Sequence, residues 1–97
     1  MQINFVGRHI EVTPALKEHT TEKLKSLEKR DHHISHINVV FHIERTLHIA
    51  EGTVILNGAE IHARAEEDDM YKAVDILATK LITQVTKHKD KLIDSHR

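Results

Sequence analysis

Across residues 36–44 the chain alternates in polarity, and this pattern limits the possible folds more than any other stretch. Ile37, Val39, Phe41 and Ile43 fall on one side of an extended chain; Asn38, Val40, His42 and Glu44 fall on the other. A repeat of two residues marks a β-strand that buries one face and wets the other. One strand cannot bury a face alone, so the same chain must supply its neighbours. Asn57-Gly58 supplies a hairpin, since both residues tolerate positive φ. It follows a predicted strand over 48–56, with Gly52, Val54 and Leu56 inward after a turn at 45–47. The next strand takes Ile61, Ala63 and Ala65 inward and leaves Glu60, His62 and Arg64 opposite. Residues 2–7 read as a short fourth strand, with Ile3 and Phe5 on one face.

Two helices complete the pattern. Thr13-Pro14 is a start signal: the threonine caps a free N–H, and proline at the first helical position has none to leave unpaired. From there to Arg30 the apolar stripe is thin, made of Leu16, Thr20, Leu24 and Leu27, and Asp31-His32-His33 ends it. A second helix is predicted over 70–92, with Met70, Val74, Leu77, Ala78, Leu81, Val85 and Leu92 on its apolar face. The acidic run Glu66-Glu67-Asp68-Asp69 before it suits the positive end of the helix dipole. The order is β-α-β-β-β-α, an α+β fold with a four-stranded mixed sheet and both helices on one face, as in double-stranded-RNA-binding domains. The first crossover should be right-handed and make strands one and two parallel.

Ninety-seven residues suit a single domain, 1–97. No apolar run is long enough to cross a bilayer, and the N-terminus carries no export signal, so a cytoplasmic protein with no membrane partner is expected. The absence of cysteine excludes disulfides and thiolate chemistry. Nothing resembles a nucleophile motif, so no enzyme and no cofactor are expected. Ten histidines raise the idea of zinc, and His32-His33-x-x-His36 most of all. A zinc site needs three or four converging ligands, whereas His42, His48 and His62 lie on strands and face different ways, so no metal site is expected.

The net charge is −1, with 14 Lys and Arg against 15 Asp and Glu, but it is unevenly placed. Residues 50–69 hold six acids and one base; residues 80–97 hold five bases and two acids. At about 100° per residue, Lys80, Lys87 and Lys91 share a narrow arc of the second helix beside its buried face, with Lys89 on the other flank. The first helix offers Lys17, Lys23, Lys25 and Lys29, interleaved with Glu18, Glu22 and Glu28. Such faces can follow a phosphate backbone, because each neutralised phosphate releases counterions. They also suit an ordinary solvated helix. With few aromatics to stack on bases, any RNA would be read by shape and phosphate.

Gly58-Ala59-Glu60-Ile61-His62-Ala63, Asp69-Met70-Tyr71-x-Ala73-Val74-Asp75, Lys80-Leu81 and Thr86-Lys87-His88-Lys89-Asp90-Lys91-Leu92 together resemble the ribosome hibernation promoting factor family in its short form, also described as the ribosome-associated inhibitor or sigma-54 modulation proteins. Met1-Gln2-Ile3-Asn4 with Gly7, and Glu11-Val12-Thr13-x-Ala15-Leu16, fit the same resemblance. It implies a factor that binds small-subunit rRNA near the decoding region of the 70S ribosome and excludes messenger and transfer RNA. It further implies that inactive ribosome dimers form in stationary phase with a separate ribosome modulation factor, and that no C-terminal dimerisation domain is present. The family's basic positions map onto Lys23, Lys80, Lys87, Lys89 and Lys91, with Arg45 plausible and Lys17, Lys25 and Lys29 on the same helix as Lys23. Two other readings stand beside it: a general RNA-binding module, and a histidine-rich metal-binding protein.

Overall fold

The computed structural model describes residues 1–30 and 33–95, with side chains through His88. The elements are β1 (Gln2–Arg8), α1 (Pro14–Arg30), β2 (Ile34–Glu44), β3 (Leu47–Leu56), β4 (Ala59–Glu67) and α2 (Met70–Ser95). They form one sheet in the order β1-β2-β3-β4, in which β1 pairs parallel with β2 and the other pairs are antiparallel. The predicted order and mixed sheet are the observed ones.

The register explains the core. Phe5, Val39, Gly52 and Ala63 form one inward row; Ile3, Ile37, Val54 and Ile61 form the next. Both helices cover this face, so Leu16, Leu24 and Leu27 of α1 and Val74, Leu77, Leu81 and Val85 of α2 are buried against it. Side-chain size divides the face. Under α2, which lies on β3 and β4, the sheet offers Ala50, Gly52, Ala63 and Ala65. A methyl on Gly52 would stand 2.9 Å from Leu81 Cδ1, so the helix comes as near as a bare backbone permits. Larger side chains, Phe5, Ile37, Val39 and Phe41, fill the half left to α1.

Three local details differ from expectation. β2 begins at Ile34 because the register shifts between Ile34 and His36. This bulge lets Ile34 join the core while the Ser35 hydroxyl donates to the Ile55 carbonyl at 3.2 Å. Glu66 and Glu67 belong to β4, so only Asp68 and Asp69 stand before α2. Asp69 is the cap, its Oδ2 accepting the Lys72 N–H at 3.1 Å. Ile43, at the end of its strand, is 37% exposed rather than buried.

Thr13 caps α1 as predicted, its hydroxyl oxygen accepting the Leu16 N–H at 3.2 Å. Asn57 and Gly58 both take positive φ, 47° and 76°, as the hairpin required. The helices run side by side in the same direction. Leu16 and Met70 meet near their starts, and His19 and Lys23 flank Asp75 further along. Both therefore finish at the end of the sheet where β2 begins and the Asn57-Gly58 turn closes.

Candidate nucleic-acid interface

Between residues 76 and 89 the sequence has no acid but has Lys80, Lys87 and Lys89. Lys80 lies on the flank of α2 that faces edge strand β4, and its Nζ donates to the Arg64 backbone carbonyl at 2.8 Å. Seven residues are close to two helical turns, so Lys87 continues along the same flank and is exposed. Between this flank and β4 runs a groove of about 360 Å³ lined by His62, Ala63, Arg64, Thr79, Lys80, Thr83 and Gln84, with no carboxylate side chain among them. The side chains of Lys89 and Lys91, both expected to contribute, lie outside the described residues, as does that of Leu92.

The basic residues of α1 are arranged differently. Lys23 turns toward α2 and lies 3.7 Å from Asp75, a carboxylate that also holds His19 Nε2 at 2.8 Å. Tyr71 meets the His19 ring edge-on at 5.0 Å between centroids. Asp75 is on the opposite flank of α2 from Lys80, so α2 separates Lys23 from the groove. Lys25 lies 3.8 Å from Glu22, an exposed pair that contributes little to stability. Lys17 and Lys29 are exposed, with Lys29 in the last turn of α1. The end shared by the two helices thus carries Lys25 and Lys29, with Lys87 approaching it along α2.

Arg45 is elsewhere. It occupies the β2–β3 turn with φ 56°, nine residues up β2 from His36. At about 3.3 Å per residue that is roughly 30 Å from the lysine-bearing end, and its neighbourhood includes the acidic approach to α2. Lys72 is also at that pole, paired with Asp68 at 3.3 Å. Arg64 bridges Glu51 and Glu66, each at 3.1 Å, across the sheet face that the helices leave open. Ile49 is fully buried on this open face, between His42 and Glu66 in register.

Among the described residues the histidines do not gather. His42 and His62 are on the open face, whereas His48 shares the helix-covered face with its register partners Ile43 and Glu67. His62 Nδ1 lies 3.0 Å from the Thr53 hydroxyl. His32 lies outside the described residues, and among those described no three His, Asp or Glu side chains are placed to hold a metal ion. Sequence reasoning grouped Lys80 with Lys87 on one side of α2 but missed the Asp75 junction and the lock of Lys80 on a backbone carbonyl. The junction had one signal, an acid on a flank of α2 opposite the lysines. The lock had none, because a carbonyl has no letter of its own.

Comparison with known proteins gives a consistent result. The family model for sigma 54 modulation protein / S30EA ribosomal protein matches residues 3–93. The ribosome hibernation promoting factor of Salmonella typhimurium is 47% identical over 92 residues, covering 95% of this chain and 97% of that protein. The factor of the same name from Azotobacter vinelandii is 40% identical over 94 residues, or 97% of this chain and 88% of its own length. Among solved structures, a ribosomal subunit interface protein from Coxiella burnetii superposes with a TM-score of 0.88 at 42% identity, covering 93% of this chain and 99% of its own. The N-terminal domain of Thermus thermophilus Protein Y gives 0.84 at 29% identity, covering 91% and 99%.

Proposed function

The chain belongs to the sigma 54 modulation protein / S30EA ribosomal protein family, and on that premise we propose that it is a ribosome hibernation factor acting by occupancy of the small subunit. It is not an enzyme, and its effect needs no chemistry: a rigid domain fills the channel near the decoding region and excludes messenger and transfer RNA. Translation resumes when it leaves. In this reading the protein works in the cytoplasm on 70S ribosomes and, with a separate ribosome modulation factor, favours inactive dimers in stationary phase.

The observation that carries the reading is the acid-free stretch of α2. Lys80 and Lys87 are exposed on one flank, and among the described residues Lys80 is held by a neutral carbonyl rather than a carboxylate, so its charge remains available to a phosphate. On α1, by contrast, Lys23 and Lys25 already sit beside carboxylates. The binding surface is therefore centred on α2, with Lys87, Lys80 and the sequence neighbours Lys89 and Lys91 as the leading contacts. Lys17, Lys23, Lys25 and Lys29 are secondary, and Arg45 reaches a separate part of the rRNA.

Co-sedimentation on sucrose gradients tests this. Lys80→Glu, Lys87→Glu and Lys91→Glu together should remove the protein from the ribosomal fractions while its thermal melt stays cooperative. Retained binding would overturn the proposed surface, and equal affinity for arbitrary RNA duplexes would favour a general RNA-binding module. A dimer peak in stationary-phase extract that persists without the protein would refute the dimer-promoting part.

A further inference from the structure

We infer that the groove between α2 and β4 is a subsite for one ribose-phosphate unit, in which Lys80 takes the phosphate and the hydroxyl oxygens of Thr79 and Thr83 accept the ribose 2′-OH. The inference rests on the RNA-binding reading above and refines it into a means of distinguishing RNA from DNA.

The hydroxyl hydrogens of both threonines are already committed to the helix backbone. Thr79 Oγ1 donates to the Asp75 carbonyl at 3.2 Å, and Thr83 Oγ1 donates to the Thr79 carbonyl at 2.9 Å. A hydroxyl has one hydrogen and two lone pairs. With the hydrogen held inside the helix, each oxygen presents only acceptor capacity outward. A phosphate oxygen, itself an acceptor, finds no partner there. A 2′-OH does, since it can donate, and it is the group that lets a protein tell RNA from DNA.

The cation is set beside these acceptors. Lys80 follows Thr79 directly, and both threonines and Lys80 line the groove. Its ammonium now rests on the Arg64 carbonyl, a weaker acceptor than a phosphate oxygen. Arg64 does not compete as a ligand, because Glu51 and Glu66 hold its guanidinium over the open sheet face. At about 360 Å³ the groove is near the lower bound of ligand-sized clefts, which suits one sugar and its phosphate. Thr79 and Thr83 are one turn apart, a rise of about 6 Å, so the two oxygens offer alternative positions along a tracked strand. Thr86 makes the same bond, to the Ile82 carbonyl at 2.8 Å, but is outside the lining and serves as a control.

The test uses the full chain and a labelled RNA hairpin carrying the small-subunit decoding helix, titrated by fluorescence anisotropy. The comparison ligand is the 2′-fluoro version, which keeps A-form geometry but has no 2′ donor. The wild-type protein should prefer the 2′-hydroxyl hairpin by about three- to tenfold, the range expected for one net hydrogen bond. T79V/T83V should abolish that preference by weakening only the 2′-hydroxyl ligand; T79S/T83S and Thr86→Val should keep it. Lys80→Gln should weaken both ligands alike. A wild-type ratio near one, or a preference that survives in T79V/T83V, overturns the subsite and leaves the ribosome reading intact. Loss of all hairpin binding in the wild-type protein, together with ribosome binding indifferent to the lysine-to-glutamate changes, overturns both. The wild-type ratio needs no altered protein, so the inference stays testable even where a valine variant folds poorly.

Discussion

Gly52→Ala measures how closely α2 is set against the sheet. The added methyl would stand 2.9 Å from Leu81 Cδ1 and 3.4 Å from both Leu77 methyls. Carbon atoms attract best at about 3.5–4.0 Å, so the Leu81 methyl must withdraw by roughly 0.6–1.1 Å. It has little room, since Leu81 and Leu77 are both fully buried. Overpacking of this kind costs about 1–3 kcal/mol. Alanine recovers about 0.4–1 kcal/mol through the unfolded chain, because Gly52 has no positive φ to forbid it. The expected net is a loss of about 1–2 kcal/mol, read as a lower urea midpoint with an unchanged slope. A double-mutant cycle isolates the contact. Leu81→Ala alone should cost about 2–5 kcal/mol, but less in the Gly52→Ala background, where the new methyl fills part of the cavity. The coupling should be about 1 kcal/mol in the compensating direction. A higher midpoint for Gly52→Ala, or single effects that add within about 0.5 kcal/mol, would refute the close-approach argument.

Other positions give sharper or smaller effects. Gly7→Ala should be among the most damaging single changes, about 3 kcal/mol or more, because its Cβ would stand 2.2 Å from the Ile10 carbonyl oxygen, a backbone atom that cannot rotate away. Thermal denaturation checks this, with Gly58→Ala as a milder comparison strained by φ 76° but with open space around it. Thr13→Ala and Asp69→Ala each remove a helix cap and should cost about 1 kcal/mol, additively, since they serve different helices. Chemical denaturation of the singles and the double measures it. Lys87→Gln should lower the slope of log affinity against log salt by about 0.7–0.9, measured with ribosomes or rRNA; an unchanged slope means Lys87 touches no phosphate.

Most of the fold was legible because period and punctuation agreed. The alternation at Ile37, Val39 and Phe41, the Asn57-Gly58 turn and the Thr13-Pro14 start each follow from local physics, and tertiary packing did not override them. The start of β2 was missed because a bulge at Ser35 inserts a residue, and so Ile34, buried like Ile37, falls out of the alternating pattern. At the candidate site, helical spacing grouped Lys80 with Lys87, a property of one helix. Where Lys23 points depends on how two helices meet, and Asp75 decides that through a contact 52 residues away in sequence. The isolation of Arg45 follows from strand direction, which no property of the arginine reveals. The role of the threonines turns on hydroxyl orientation, set by the helical backbone itself.

The bond from Lys80 to the Arg64 carbonyl also bears on how readily a further strand could add to this sheet. An outermost strand offers unpaired backbone groups to any passing chain, the usual seed of open-ended sheet growth. Here the ammonium sits at an acceptor of that strand, 2.8 Å from its oxygen. An incoming strand would have to displace it or bury a charge, and burying an unpaired charge is costly. One long side chain therefore blocks one acceptor on the β4 side of the sheet, and the residue proposed to meet the phosphate also makes that point of the edge a poorer template for a further strand.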